Sequence, residues 1–208
     1  KIQSIDYLIG QGKLLWDQRL DSLALDKAEH FINLAHKQRE NDFELSVLYS
    51  RISFTRAYFF ERNDQTQDSL FLQASQSCQK AVMSHEDFIP IYILSKGDSS
   101  FKLLSAVADA PLSIVPGLYW WAVNLGMYLN NQPVLARIKQ RELLEVIMHR
   151  VISLDPGFNF SGPYRFFGSL YTRIPGIELS QSKTYFDQAI TANPEYLGNK
   201  VLLSLIHI

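Results

Sequence analysis

Gly168-Ser-Leu-Tyr171, followed by Ser182-Lys-Thr-Tyr-Phe186-Asp-Gln-Ala189 and closed by Asn193-Pro194, is the stretch on which the fold turns. A small residue and an aromatic share one face of a first helix. A second helix then carries small, aromatic and small residues at spacings of four and three. Small side chains let two helices approach closely, and the ring fills the gap that remains. Proline ends the second helix because it lacks an N–H and restricts the residue before it. A related ending occurs 38 residues earlier, where Val151-Ile-Ser-Leu154 runs into Asp155-Pro-Gly-Phe158, as Ala189-Ile-Thr-Ala192 runs into Asn193-Pro-Glu-Tyr196. Two extra residues fall in the turn at Ile174-Pro-Gly176.

This arrangement resembles the tetratricopeptide pattern. Degenerate copies stand earlier in the chain. Ala28, Ile32 and Ala35 mark one second helix, and Ala74, Cys78 and Ala81 mark another, with Ala35 and Ala81 46 residues apart. Helical periodicity extends over most of the sequence. Asp21–Glu40 carries Leu25, Ala28, Ile32 and Ala35, widened by Phe31 and Leu34. Asp42–Arg62 carries Leu45, Leu48, Ile52, Tyr58 and Phe59. Gln65–Ser84 carries Leu70, Ala74, Cys78, Ala81 and Val82. Arg137–Leu154 carries Ile138, Leu143, Leu144, Ile147, Met148 and Val151. Asp21 and Asp42 stand where N-caps are needed. Short turn signals separate these runs, among them Lys96-Gly-Asp98 and Asn130-Asn-Gln-Pro133, and strand alternation is absent. The expected fold is all-α: about ten helices in stacked antiparallel hairpins, forming a single repeat domain over residues 1–208.

Composition narrows the function classes. In 208 residues, 20 Lys+Arg balance 21 Asp+Glu for a net charge of −1. That excludes the basic stripe of a general nucleic-acid binder and a polybasic membrane-surface segment. One cysteine, Cys78, closes no intrachain disulfide and builds no cysteine metal site. Residues 110–136 carry no charge, but Pro111, Pro116 and Pro133 divide them. The uninterrupted part, Gly117–Asn130, reaches roughly 21 Å as a helix, short of a hydrocarbon core of about 30 Å. A buried core helix is expected there, with Asn124 at its middle. Residue 1 is Lys, and the run Val201–Ile208 ends apolar and uncapped. The expectation is a fragment: a leader is removed or lies outside it, and either the natural chain continues beyond Ile208 or this tail is not native.

Pro116-Gly-Leu-Tyr-Trp-Trp-Ala-Val-Asn-Leu-Gly126 resembles a distinctive segment of the T component of tripartite ATP-independent periplasmic (TRAP) transporters. Leu154-Asp-Pro-Gly-Phe-Asn-Phe-Ser-Gly-Pro-Tyr-Arg-Phe-Phe-Gly-Ser-Leu-Tyr-Thr-Arg-Ile-Pro-Gly176 resembles its later companion. Leu14-Leu-Trp-Asp-Gln-Arg19 and Asp87-Phe88 match further pieces in the same order. The resemblance implies a periplasmic, all-helical accessory component that is lipid-anchored in the full-length protein. It implies a homotrimer around a pore-like passage and association with the transporter's solute-binding subunit. The chain lacks a lipidation cysteine near its start, so the anchor is expected only upstream. No catalytic residue is carried over.

The aromatic segments supply the candidate partner- or ligand-binding residues: Tyr119, Trp120, Trp121 and Tyr128 on one helix, and Tyr164, Arg165, Phe167 and Tyr171, beside Phe166, on the next. Aromatics at helical spacing serve as core more often than as the lining of a passage, and both readings stand here. Trp120 and Trp121 point about 100° apart, so they do not share one site. Arg165 is the single charge of its cluster, open to an acid within the fold or a polar group of a partner.

Catalytic signals are thin. His30 and His36 are six apart and share no helix face; His149 and His207 stand alone. His85-Glu86-Asp87 reads as an acidic helix cap. Gly10-Gln-Gly12-Lys13 lacks the Ser/Thr of a phosphate loop, and no nucleophile elbow occurs. Arg137, Lys139, Arg141 and Arg150 read as a solvated basic face. Asn159-Phe160-Ser161 matches a glycosylation acceptor by pattern. No metal or cofactor is expected. The leading expectation is a non-catalytic transporter component docking the solute-binding subunit and passing a small or apolar ligand. The alternative is a tetratricopeptide-type adaptor binding peptides in a concave groove.

Overall fold

The computed structural model describes residues 4–205. Among them are eleven α-helices and no strand. Helices α1 (Ile5–Asp17), α2 (Ser22–Gln38), α3 (Phe43–Phe59) and α4 (Asp64–Met83) come first. Then follow the shorter α5 (Ile89–Leu94) and α6 (Ser99–Ala108), and a 3₁₀ turn at Leu112–Ile114. Helices α7 (Val115–Asn130), α8 (Val134–Leu154), α9 (Phe158–Tyr171), α10 (Leu179–Ala192) and α11 (Leu197–Leu205) complete the order.

The expected caps form. Asp21 accepts hydrogen bonds from the Leu23 and Ala24 N–H groups, and Asp42 accepts from Leu45. Asn63 and Asp98 do the same for α4 and α6. Each carboxylate or amide oxygen satisfies N–H groups that the first helical turn leaves free. Pro116 sits in the first turn of α7, where its missing N–H costs nothing, so the helix starts two residues before Gly117.

Three consecutive pairs, α2–α3, α3–α4 and α9–α10, run antiparallel. Ser46 lies beside Cys78, Ser50 donates to the Ala74 carbonyl, and Gln67 donates to the Ala57 carbonyl, so α3 and α4 pass in opposite directions. His36–Ser46 and Arg56–Asp26 fix α2 against α3 in the same sense. At the other end, Gly168 meets Ser182 while Ser161 meets Asn193, which makes α9 and α10 antiparallel. Helix α7 returns from the α5–α6 excursion to lie along α4 and α3, then pairs with α8, which supports α9.

Small residues sit where the helices approach: Ala28, Ala35, Ala74, Cys78 and Ala81 are all fully buried. One core joins Leu8, Leu25, Ile32, Leu45 and Ile52 between α1, α2 and α3. A larger one centres on α7 and runs from Val82 through Leu118, Trp121, Ile147 and Met148 to Phe167. No single helix among the described residues is long and apolar enough to cross a membrane.

Several expected positions differ. Tyr58 and Phe59 are exposed, at 39% and 56%, because α3 ends beside them. Its buried surface keeps the expected Leu45 and Ile52 and adds three serines, Ser46, Ser50 and Ser53, small enough for α3 to pack between α2, α4 and α7. Ile138 near the start of α8 and Leu34 on α2 are also exposed. His85-Glu86-Asp87 does not cap α5, which has no side-chain cap. His85 accepts from the Asp87 N–H, and Asp87 accepts from the Ser113 hydroxyl. The basic residues of α8 do not form one solvated face. Arg137 donates to the Asn130 carbonyl, Arg150 to the Ala110 carbonyl, and Arg141 pairs with Glu145 at 2.8 Å. The last three residues of the apolar tail, His207 among them, lie outside the described residues.

Candidate functional site

Helix α7 carries the first aromatic group into the larger core. Tyr119, Trp120 and Trp121 are buried, and Tyr128 is half-buried. As the helical angle requires, the two tryptophans part company. Trp120 meets Phe54 of α3 edge-on, with the Arg51 guanidinium 5.9 Å from its ring, and Trp121 is enclosed. Asn124 turns its amide back to donate to the Trp120 carbonyl at 2.8 Å.

Helix α9 brings the second group against the same core. Phe167 is fully buried, Arg165 and Tyr171 are 9% exposed, and Tyr164 is half-buried. Phe167 stacks on Tyr185 of α10 with centroids 4.9 Å apart. The Tyr171 hydroxyl donates to Glu145, which also accepts from Arg141. Burial first, and then the Glu145 charge, push the Tyr171 phenol well above its usual range, so it stays a protonated donor.

The first turn of α9 is left-handed. Asn159, Phe160 and Ser161 have φ of 49°, 58° and 59°. Each such non-glycine residue costs roughly 1–2 kcal/mol. Pro163 accounts for the break, since a right-handed helix would drive its ring into the carbonyl four residues back, that of Asn159. The rest is held by side chains. Arg165 donates through Nη2 to the Asn159 carbonyl and through Nη1 to the Phe160 carbonyl, both at 3.1 Å. Nη1 also reaches Oδ1 of Asn199 at 2.6 Å, and Nη2 the Tyr119 hydroxyl at 3.4 Å. Asn159 donates to that same hydroxyl at 2.9 Å, and Asn193 donates to Ser161 Oγ at 2.6 Å. Gly162 is what allows this proximity, because a Cβ there would fall 2.7 Å from Cζ of Tyr119. Arg165 therefore meets no acid among the described residues; carbonyl and amide oxygens satisfy it.

The eight expected residues divide accordingly. Tyr119, Trp120, Trp121, Phe167 and Tyr171 pack into the core, Tyr128 packs half-buried against it, and Arg165 ties a turn. Tyr164 borders an open groove of about 460 Å³ with Thr184, Asp187, Gln188 and Thr191 of α10. A second groove, about 370 Å³, lies between α1 and α3 beside Lys13, Glu44 and Arg51, away from all eight. Sequence reading missed Asn199 and Tyr196, which complete the Arg165 cluster. It placed Asn159 in a family-like segment and as a glycosylation pattern, without a structural role. The available signal was Pro163, which disfavours a right-handed turn before it.

Two reactive side chains lie elsewhere. His36 Nε2 bridges the hydroxyls of Ser46 and Ser77 at 3.1 and 2.8 Å, its ring flat on Tyr49. Burial lowers its pKa, with Lys80 adding to that and Glu40 and Asp42 opposing. Cys78 is buried beside Ser50, and burial pushes its thiol up to about 12. His36 thus ties three helices together, and Cys78 is a small apolar filler.

Compared with known families, the model described as TRAP transporter T-component matches residues 36–204, from the end of α2 into α11. None of the curated proteins compared matches the chain.

Proposed function

The chain belongs to the TRAP transporter T-component family, and from that membership we propose that it docks the transporter's periplasmic solute-binding subunit and passes a small or apolar ligand, without catalysis. The match over residues 36–204 carries this reading. The protein acts in the periplasm as a homotrimer, held to the membrane by a lipid anchor on the full-length chain. Its scaffold is a stack of degenerate tetratricopeptide-like hairpins. The interlock of α9 with α10 supports that last point, because Gly168 lies against the Phe186 ring and Ser182 bonds the Gly168 carbonyl.

The eight aromatic-segment residues are the site in this reading, in two roles. Tyr164 and Tyr128, both half-buried, meet the partner or ligand. Tyr119, Trp120, Trp121, Arg165, Phe167 and Tyr171 set the shape behind them. The test is association of the full-length protein with the solute-binding subunit encoded beside it. Binding at micromolar concentrations is expected, and its absence overturns the docking role. Light scattering should return three times the mass of one chain. A single chain's mass, with peptide binding instead, would favour a tetratricopeptide-type adaptor.

A further inference from the structure

The left-handed turn is held from one side by Tyr196 and helix α11. Of the contacts on it and on its arginine, four come from Tyr196 and Asn199. Asn199 offers Oδ1 to Arg165 at 2.6 Å and directs Nδ2 toward the Phe160 carbonyl at 3.4 Å. The Tyr196 ring stacks on Phe160, centroids 4.6 Å apart and 3° from parallel, and lies 4.8 Å from the Arg165 guanidinium carbon. Asn199 is fully buried and also donates to the Ala189 carbonyl, so its docking joins α11 to α10 at the same point. On α11, Leu197 and Val201 are exposed at 70% and 58%. Most of a helix's stability in a folded protein comes from what it docks against.

From this we propose that α11 is a latch for the turn at Asn159–Ser161. With α11 docked, Arg165 has Asn199 as its only side-chain carbonyl acceptor and holds two successive carbonyls in a conformation that those residues disfavour. With α11 away, the amide acceptor and the stacked ring leave together. The turn relaxes, and Asn159 withdraws from the Tyr119 hydroxyl. Displacement of α11 is thereby felt on α7, on the far side of the turn. The inference stands apart from the transporter reading, because it rests on the geometry of this segment alone.

Coupling of this kind is reciprocal, and that supplies the test. Hydrogen–deuterium exchange of the full chain is followed by mass spectrometry in the unaltered protein, Asn199→Ala and Arg165→Gln. Asn199→Ala should speed exchange in residues 157–163 about tenfold or more, and Arg165→Gln should do the same in 197–205, with α3 and α4 unchanged. A response in only one of the two segments, or in neither, overturns the latch. So does an unaltered protein in which 197–205 exchanges freely while 157–163 stays protected. If Asn199→Ala loosens α3 and α4 as well, Tyr196→Leu takes its place. That variant keeps the amide and removes only the ring, and unchanged exchange at 157–163 in it also overturns the proposal.

Discussion

The Phe186 ring lies against the bare Cα of Gly168: a Cβ at position 168 would stand 2.8 Å from both Cδ atoms of that ring. Phe186 is 1% exposed, enclosed in the core. Gly168→Ala should therefore force α9 and α10 apart and destabilise the protein by about 1–3 kcal/mol. Urea unfolding checks this. An unchanged midpoint would show that the two helices do not depend on that close approach.

Tyr119 accepts from Asn159 and from Arg165 through one buried hydroxyl. Tyr119→Phe keeps the ring and leaves the Asn159 amide without that acceptor. The expected loss is about 1–2 kcal/mol in chemical denaturation. A neutral result would mean that the hydroxyl adds nothing to the hold on the left-handed turn.

His36 supplies a pH dependence of known sign. Burial lowers its pKa in the folded protein below the ordinary 6.5. Between the two values the unfolded chain binds more protons, so stability rises with pH there. The contribution is complete above pH 6.5 and is lost as pH falls through the lowered value. Denaturation midpoints at pH 7.5 and 5.5 should differ more for the unaltered protein than for His36→Gln. Equal differences would remove His36 as the cause.

Cys78 is buried, with a thiol pushed up to about 12. The thiolate is the reactive form. Iodoacetamide at pH 8 should leave the folded protein unlabelled and modify one cysteine per chain once denaturant is added. Rapid labelling without denaturant would place Cys78 at the surface.

Some of this architecture is local and was therefore legible in the residues. Asp21 and Asp42 cap the helices they precede because the cap bond spans only two or three residues. Ala28, Ala35, Ala74, Cys78 and Ala81 mark close helix approaches because only small side chains permit them. Other positions depend on neighbours far away in sequence. Periodicity placed Tyr58, Phe59 and Ile138 on buried stripes, but burial requires a facing helix, and none covers those ends. The serines of α3 carried no hydrophobic signal, although they line one of its most enclosed surfaces. For Arg165 the residues offered an acid or a partner, and the folded chain supplies two carbonyls, an amide and a phenol.

The amino-acid sequence by itself determined the all-helical class, the long helices and the small-residue seams, since propensity, capping and spacing act over a few residues. Only the tertiary structure decided the left-handed turn at Asn159–Ser161, the cluster around Arg165, and the sorting of aromatic side chains between core and surface. Those outcomes rest on Tyr119, Asn193, Tyr196 and Asn199, up to 46 residues from Arg165, arriving at one place. A disfavoured backbone conformation persists only where such distant groups converge to hold it.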